Sequence, residues 1–190
     1  MEYEADGNVE SSAEHDAIFK DLMANGKAEV KREDGNVTVA FKNAPQVVTA
    51  EYQCPFLSHS PMEPMNFFAH VQADKVELVG PTQTPERARS EAALDAEGNM
   101  TGYKLRGVGM NTGNSTRENN FPSGAVANLL IDNINYESSI TTNAWRAPIT
   151  NFLAYAEQSF LDEVALAAKK DPVDFRLELM EKAKSNPVGG

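Results

Sequence analysis

Hydrophobic positions at helical spacing mark the C-terminal part of the chain. Apolar residues recur every four positions from Phe152 to Ala168, which predicts an amphipathic helix over residues 152–168. Asp171 and Pro172 then have the residue types that open a helix, a capping carboxylate followed by a proline in the first turn. We therefore expect a second helix over residues 171–183.

A shorter helix is predicted near the N-terminus. Ser11 and Glu14 have the spacing of a capping box, in which each side chain bonds the backbone amide of the other residue. Apolar residues follow at helical spacing as far as Met23. Asn25 and Gly26 come next and predict a left-handed stop.

The pattern between these helices is typical of strands separated by polar turns. Asp34 and Gly35 favour a tight turn, so residues 28–32 and 36–41 are predicted to form a hairpin. Further strands are predicted over residues 47–52, 66–71, 76–79, 91–94, 100–110 and 136–142. Residues 125–131 fit a short helix and a buried strand equally well, since periodicity does not separate the two over so few positions.

These elements predict an α+β fold, in which antiparallel sheet meanders pack against a long C-terminal helix. We expect residues 1–46 to belong to the same unit as a core over residues 47–183, with residues 184–190 as a tail. No internal repeat is visible.

Composition and charge narrow the classes of partner. The 190 residues carry a net charge of -11, which argues against nucleic acid because no basic surface is available to neutralise phosphates. No apolar run is long enough to span a membrane. Cys54 is the single cysteine, so neither an internal disulfide nor a thiolate zinc site is expected. The acidic first residues lack an export signal, and the compartment, cytoplasmic or periplasmic, is left open.

His59 and Glu63 lie four residues apart and would face a common metal ion on a helix. Prolines at positions 55, 61 and 64 disfavour a helix there. Without a helix, the four-residue spacing does not indicate that the two side chains face a common metal ion. The simpler interpretation is a histidine satisfied by a backbone carbonyl and a glutamate that is paired or capping.

Arg146 is a second candidate, because it lies between a predicted strand and the long helix. Its five donors can fix an anion or a carbonyl oxygen, whereas the alternative is a surface salt bridge. Carboxylates on the polar face of the long helix are expected to be solvated. These are Glu157, Asp162 and Glu163.

Six segments, taken in order, resemble the molybdenum hydroxylases, which form the xanthine dehydrogenase and aldehyde oxidase superfamily. Within that superfamily they are most similar to large subunits of the isoquinoline 1-oxidoreductase type. The segments are residues 50–52 with 55–66, 81–83, 92–98, 145–148, 157–165 and 171–176.

The resemblance implies a molybdopterin-binding-domain-like core and a chemistry that residue patterns alone do not reveal. Relatives bind molybdopterin, as the cytosine dinucleotide in bacterial enzymes. They hydroxylate an N-heterocyclic aromatic or an aldehyde with water as the oxygen donor, and pass electrons to a small subunit with two [2Fe-2S] clusters. By this resemblance Gln83 is a cofactor contact, Arg146 approaches the substrate, and residues 59–66 fix the path of the strands.

The chain also departs from the pattern of these relatives. Residues 84–88 stand where relatives have a longer glycine-rich loop that holds the metal ligands. The catalytic glutamate of the family belongs to a portion that would follow Gly190. We therefore expect an internally shortened fragment that has no turnover and binds no cofactor by itself, and whose uncovered surface pairs in a homodimer. The alternative is a non-catalytic binding or structural module derived from the same domain.

Overall fold

A computed structural model describes residues 10–54, 68–71, 76–79, 86–110, 116–119, 121–138 and 151–185. Within these ranges the side chains of 68–71, 76–79, 86 and 151–153 are not described. The elements in chain order are α1 (Ser12–Asn25), β1 (Glu29–Asp34), α2 (Val37–Asn43), β2 (Gln46–Gln53), β3 (Phe68–Val71), β4 (Val76–Val79), β5 (Glu86–Leu94), β6 (Met100–Gly109), β7 (Asn128–Asn135), α3 (Asn151–Ala167) and α4 (Pro172–Ser185).

Five of the strands form one sheet in the order β1-β7-β6-β5-β2, and β3 pairs with β4 in a separate two-stranded sheet. All pairings are antiparallel except that of β6 with β7, which is parallel. The expectation of a purely antiparallel sheet is therefore wrong at this pairing. Parallel neighbours need a crossover connection, and the long connection between Gly109 and Asn128 provides one.

The larger core lies between one face of the five-stranded sheet and the helices α3 and α4. Phe160 of α3 is fully buried and lies against Tyr103 of β6, with ring centroids 6.0 Å apart. Phe175 and Leu179 of α4 are buried in the same cluster. This burial explains the four-residue apolar period of α3, which occupies the region where the sequence predicts a helix.

The opposite face of the sheet is covered by α1 and α2. Phe19 and Met23 of α1 pack with Val108 and Ile134 in a second cluster. The predicted capping box between Ser11 and Glu14 is confirmed.

The predicted left-handed stop of α1 is wrong, because Gly26 has an extended backbone with φ -69°. Its amide donates to Leu22 O at 2.8 Å. An added Cβ would lie 2.5 Å from that oxygen. Glycine is therefore needed for close approach at this position and not for a positive dihedral.

The predicted hairpin after Asp34 is also wrong, since its second arm is the helix α2. Asn36 caps this helix, its side-chain oxygen accepting from the amide of Val39 at 3.0 Å. Strand β1 instead pairs with β7, far along the chain. Because β1 pairs with β7, residues 37–43 are not required as its partner strand. They form a helix that begins at the Asn36 cap, although several of them are β-branched.

For residues 125–131, which fitted a helix and a strand equally well, the strand is confirmed over 128–131, because β7 begins at Asn128. It ends at Asn135, so the predicted strand over 136–142 is wrong for residues 136–138. Strands were correctly predicted at β1, β2, β3, β4 and β6, whereas at β5 only residues 91–94 of Glu86–Leu94 were predicted as strand.

Candidate functional site

Four strand ends meet at one edge of the five-stranded sheet, which we call the loop edge. It is formed by Gln53 at the end of β2, Glu86 at the start of β5, Gly109 at the end of β6 and Asn135 at the end of β7. The register fixes their proximity, because Gln53 pairs opposite Arg87, Glu86 opposite Gly109, and Gly109 opposite Asn135.

The predicted site residues belong to chain segments that adjoin this edge in sequence. His59 and Glu63 follow β2, Gln83 precedes β5, and Arg146 lies between β7 and α3. All four lie outside the described residues, so their predicted roles stay predictions.

Arg87 organises the described part of the loop edge. Its side chain is 6 % exposed and lies between α1 and β2. Nη1 donates to Glu51 Oε1 at 2.5 Å, and Nη2 donates to Asp16 Oδ1 and Gln53 Oε1, each at 2.5 Å. Arg87 therefore ties the start of β5 to the end of β2 and to α1.

The carboxylates around Arg87 are held in their charged form. Burial raises the pKa of Glu51, but hydrogen bonds from Arg87 and then Arg89 outweigh it, and the net pKa is lowered. For Asp16 the hydrogen bond from Lys20 is the largest cause of a lowered pKa, with Gln53 and Arg87 adding to it against the effect of burial.

The Nε of Arg87 is buried and has no hydrogen-bond partner among the described residues. Buried donors are nearly always satisfied in folded proteins. This atom is therefore an unsatisfied buried donor at the loop edge.

A buried histidine adjoins the same edge from α1. His15 is 2 % exposed and lies beside the rings of Phe19 and Tyr136, with centroids 6.0 and 5.8 Å away. Its Nε2 is 2.5 Å from Glu10 Oε2, and the Ser138 hydroxyl donates to the same oxygen. Glu10 therefore links Ser138, which follows β7, to His15 in the first turn of α1.

A tyrosine pair lies at this edge on the α3 side of the sheet. Tyr52 donates its hydroxyl proton to Glu163 Oε1 at 2.6 Å and packs edge-on against Tyr155 at 5.5 Å. Burial, followed by the bond to Glu163, raises the pKa of Tyr52 well above its ordinary value. Glu163 is thus an exposed carboxylate with a specific partner, which sequence reasoning treated as merely solvated.

Arg87 is not among the predicted site residues, although the sequence carries a signal for it. In β5 charged residues at 87, 89 and 91 alternate with small ones at 88, 90 and 92. This period-two pattern is typical of a strand with one polar face. Without the pairing of β5 with β2, however, it does not reveal the acceptors around Arg87.

Among the described residues, no three His, Cys, Asp or Glu side chains are grouped so that they could hold a metal ion. The helices in that part of the chain are too short or too polar to cross a membrane.

Residues 19–96, less than half of the chain, match the family profile of the molybdopterin cofactor-binding domain. The match begins within α1, ends just after β5, and so includes Arg87 and the segment with Gln83. A comparison with curated proteins gives no match.

Solved structures with a similar fold include three bacterial oxidoreductases. The aldehyde oxidoreductase from Desulfovibrio gigas has a TM-score of 0.52 at 13% identity, over 79% of this chain and 26% of that one. Quinoline 2-oxidoreductase from Pseudomonas putida 86 has a TM-score of 0.53 at 12% identity, over 82% and 32%. The aldehyde oxidoreductase from Desulfovibrio desulfuricans ATCC 27774 has a TM-score of 0.54 at 14% identity, over 91% and 29%.

At these identities the structural likeness establishes the fold. The profile match adds a likeness of residues 19–96 to the molybdopterin cofactor-binding domain. The chain spans about a quarter to a third of the length of these structures.

Proposed function

We propose that this chain is a molybdopterin-binding-domain-like part of the large subunit of a molybdenum hydroxylase. The complete enzyme would hydroxylate an N-heterocyclic aromatic or an aldehyde with water as the oxygen donor. The observation that carries the proposal is the agreement between the profile match over residues 19–96 and the fold shared with three such oxidoreductases.

The donor set at the loop edge fits a cofactor held through its organic part. The described residues group no metal-ligating side chains, while Arg87 offers a buried donor without a partner among them. Pterins and phosphates carry the acceptors that such a donor needs. When bound, the cofactor supplies the redox chemistry, and the chain supplies hydrogen bonds and position.

Gln83 and Arg146 are the two residues proposed to act at this site. Gln83 lies just before the strand that Arg87 anchors, and we assign its amide to the cofactor. Arg146 would orient the substrate or stabilise negative charge that develops on it. Residues 59–66 are proposed to fix the path of the strands.

The finer assignments rest on the same resemblance. We propose that the large subunit is of the isoquinoline 1-oxidoreductase type and that the complete enzyme binds the cytosine dinucleotide form of molybdopterin. Its partner would be a small subunit with [2Fe-2S] clusters. Residues 1–46 are assigned to the same unit as residues 47–183, in keeping with the packing of Phe19 and Met23 against Val108 and Ile134. For the 190-residue chain by itself we propose an internally shortened fragment without turnover, paired as a homodimer.

The roles of Arg146 and Gln83 can be tested in the complete enzyme. Arg146→Ala should lower turnover far more than it lowers the melting temperature, and Gln83→Ala should lower the pterin content of the purified protein. Val173→Ala, a change at an exposed residue of α4, is the control and should leave both quantities unaltered. Equal turnover in wild type and Arg146→Ala would refute the role of the arginine.

The neighbouring genes distinguish this function from a non-catalytic module. An adjacent reading frame with two cysteine-rich iron-sulfur motifs is expected for the hydroxylase. Its absence would favour the module.

A further inference from the structure

A row of four charged side chains crosses the face of the sheet that α1 and α2 flank. The register places Glu51 of β2 opposite Arg89 of β5, Arg89 opposite Arg106 of β6, and Arg106 opposite Asp132 of β7. The two carboxylates are therefore on the outside of the row and the two arginines are neighbours in its centre.

A pair of like charges in this position carries a cost. Residues directly opposite on antiparallel strands have Cβ atoms about 4.5–5.5 Å apart, and like charges there are destabilising. The side chains of Arg89 and Arg106 are only 35 % and 33 % exposed, so water screens their repulsion incompletely. Glu51 and Asp132 offset part of that repulsion through their ion pairs with Arg89 and Arg106, and an anion between the two guanidinium groups would offset the rest.

A cavity of about 150 Å³ lies at this place. Its charged lining residues are Arg89, Glu91, Lys104, Arg106 and Asp132. Since a water molecule takes up about 30 Å³ in the liquid, the cavity has room for a small oxyanion with a few waters.

The carboxylates of the row and of the cavity are already paired with cations. Asp132 accepts two bonds from Arg106, at 2.8 and 2.7 Å. Glu91 accepts from Lys104 at 3.3 Å. Glu51 accepts from both Arg87 and Arg89. The acceptors at this place are thus occupied within the protein.

The donors are not all occupied. Arg106 uses Nε and Nη2 for Asp132, and Arg89 uses Nη2 for Glu51 at 2.9 Å. Each guanidinium has five N–H donors. Arg106 Nη1 and Arg89 Nε and Nη1 therefore have no bond to any described residue. Lys104, whose ammonium also lies 4.1 Å from the Phe41 ring centroid, adds a third positive charge.

We propose that this pocket binds a phosphate group, either as the free ion or as the terminal group of a phosphate monoester. The two arginines donate to its oxygens from adjacent strands, and Lys104 closes one side. A phosphate is favoured over a monocarboxylate because it offers more acceptor oxygens to the unbonded nitrogens of the two guanidinium groups that line the pocket. The proposal is independent of the assignment to a molybdenum enzyme.

The test is isothermal titration calorimetry of the 190-residue chain with inorganic phosphate, with sodium chloride holding the ionic strength constant. We expect saturable binding at one site. Arg89→Gln is the informative variant, because Glu51 keeps Arg87 as a partner and the fold is preserved. It should weaken phosphate binding about tenfold or more, the usual effect of losing hydrogen bonds to a charged group. Lys182→Gln, which removes one exposed positive charge on α4, is the matched control and should bind phosphate like wild type.

Arg106→Gln is less suitable, because it leaves Asp132, whose side chain is 5 % exposed, without its cation. Lys104→Met serves as the second variant and should also weaken binding. Phenyl phosphate distinguishes the sources: binding at least as tight as that of the free ion indicates a monoester, and weaker binding indicates the free ion. The proposal is overturned if phosphate gives no saturable heat, if acetate binds more tightly than phosphate, or if Arg89→Gln binds phosphate like wild type.

Discussion

Replacing Arg87 by alanine tests whether the loop edge depends on this side chain. The change removes three charge-assisted hydrogen bonds, to Asp16, Glu51 and the Gln53 amide oxygen. At roughly 1.5–3 kcal/mol for each bond from the charged guanidinium, the gross loss is about 4.5–9 kcal/mol. The acceptor side chains of Asp16 and Glu51 are 33 % and 30 % exposed, so hydrogen bonds to water replace part of the lost stabilisation. A second cation also remains at each acceptor, Lys20 at Asp16 and Arg89 at Glu51.

We therefore expect Arg87→Ala to lower the free energy of unfolding by about 2–4 kcal/mol. The assay is urea denaturation followed by circular dichroism, in which the midpoint should fall at unchanged m-value. Arg87→Lys should recover only part of the loss, since an ammonium lacks the planar fork that reaches acceptors on two sides.

Arg176→Ala is the matched control. Arg176 also makes several bonds, to Gln158, Pro172 and Asp162, but at the surface of α3 and α4. Its loss should cost at most about 1 kcal/mol. If Arg87→Ala costs no more than Arg176→Ala, the organising role of Arg87 is wrong.

Three further predictions concern the hydrophobic core, a turn and the dependence of stability on pH in the acid range. Phe160→Ala should cost about 3–5 kcal/mol because the ring is fully buried and leaves a cavity; a loss below about 1 kcal/mol in calorimetry would contradict the described core. Gly35→Ala should cost roughly 1–3 kcal/mol, since Gly35 has φ +65° and an added Cβ would lie 2.5 Å from Ala127 O; a urea midpoint equal to wild type would contradict this. Because the pKa of Glu51 is lowered from its ordinary 4.5 on folding, its contribution is complete above that value and is lost as the pH falls through the folded pKa. Glu51→Gln should therefore flatten the fall of stability below about pH 4.5, and identical pH profiles of the urea midpoint would refute the linkage.

Elements with local signals were predictable from sequence. The cap of α1 depends on Ser11 and Glu14, three positions apart, and the apolar stripe of α3 recurs within one helix. The turn between β5 and β6 is local as well, because Asp95 accepts from the amides of Glu97 and Asn99. In each case the deciding contacts lie within a few residues of one another.

Features set by distant pairing were not predictable. Whether residues 37–43 form a strand or a helix depends on the partner of β1, and that partner is β7. The parallel pairing of β6 with β7 has the same origin. The neighbouring arginines 89 and 106 come together only through the register of two strands, although their alternation with small or apolar residues is visible in the sequence.

The metal content of two preparations, measured side by side, tests the central claim most directly. One is the 190-residue chain expressed in a host that makes molybdopterin, and the other is the product of the complete reading frame expressed with its neighbouring genes. We predict stoichiometric molybdenum and iron in the second and neither in the first. Absence of molybdenum from the second preparation, or stoichiometric molybdenum in the first, would contradict the account.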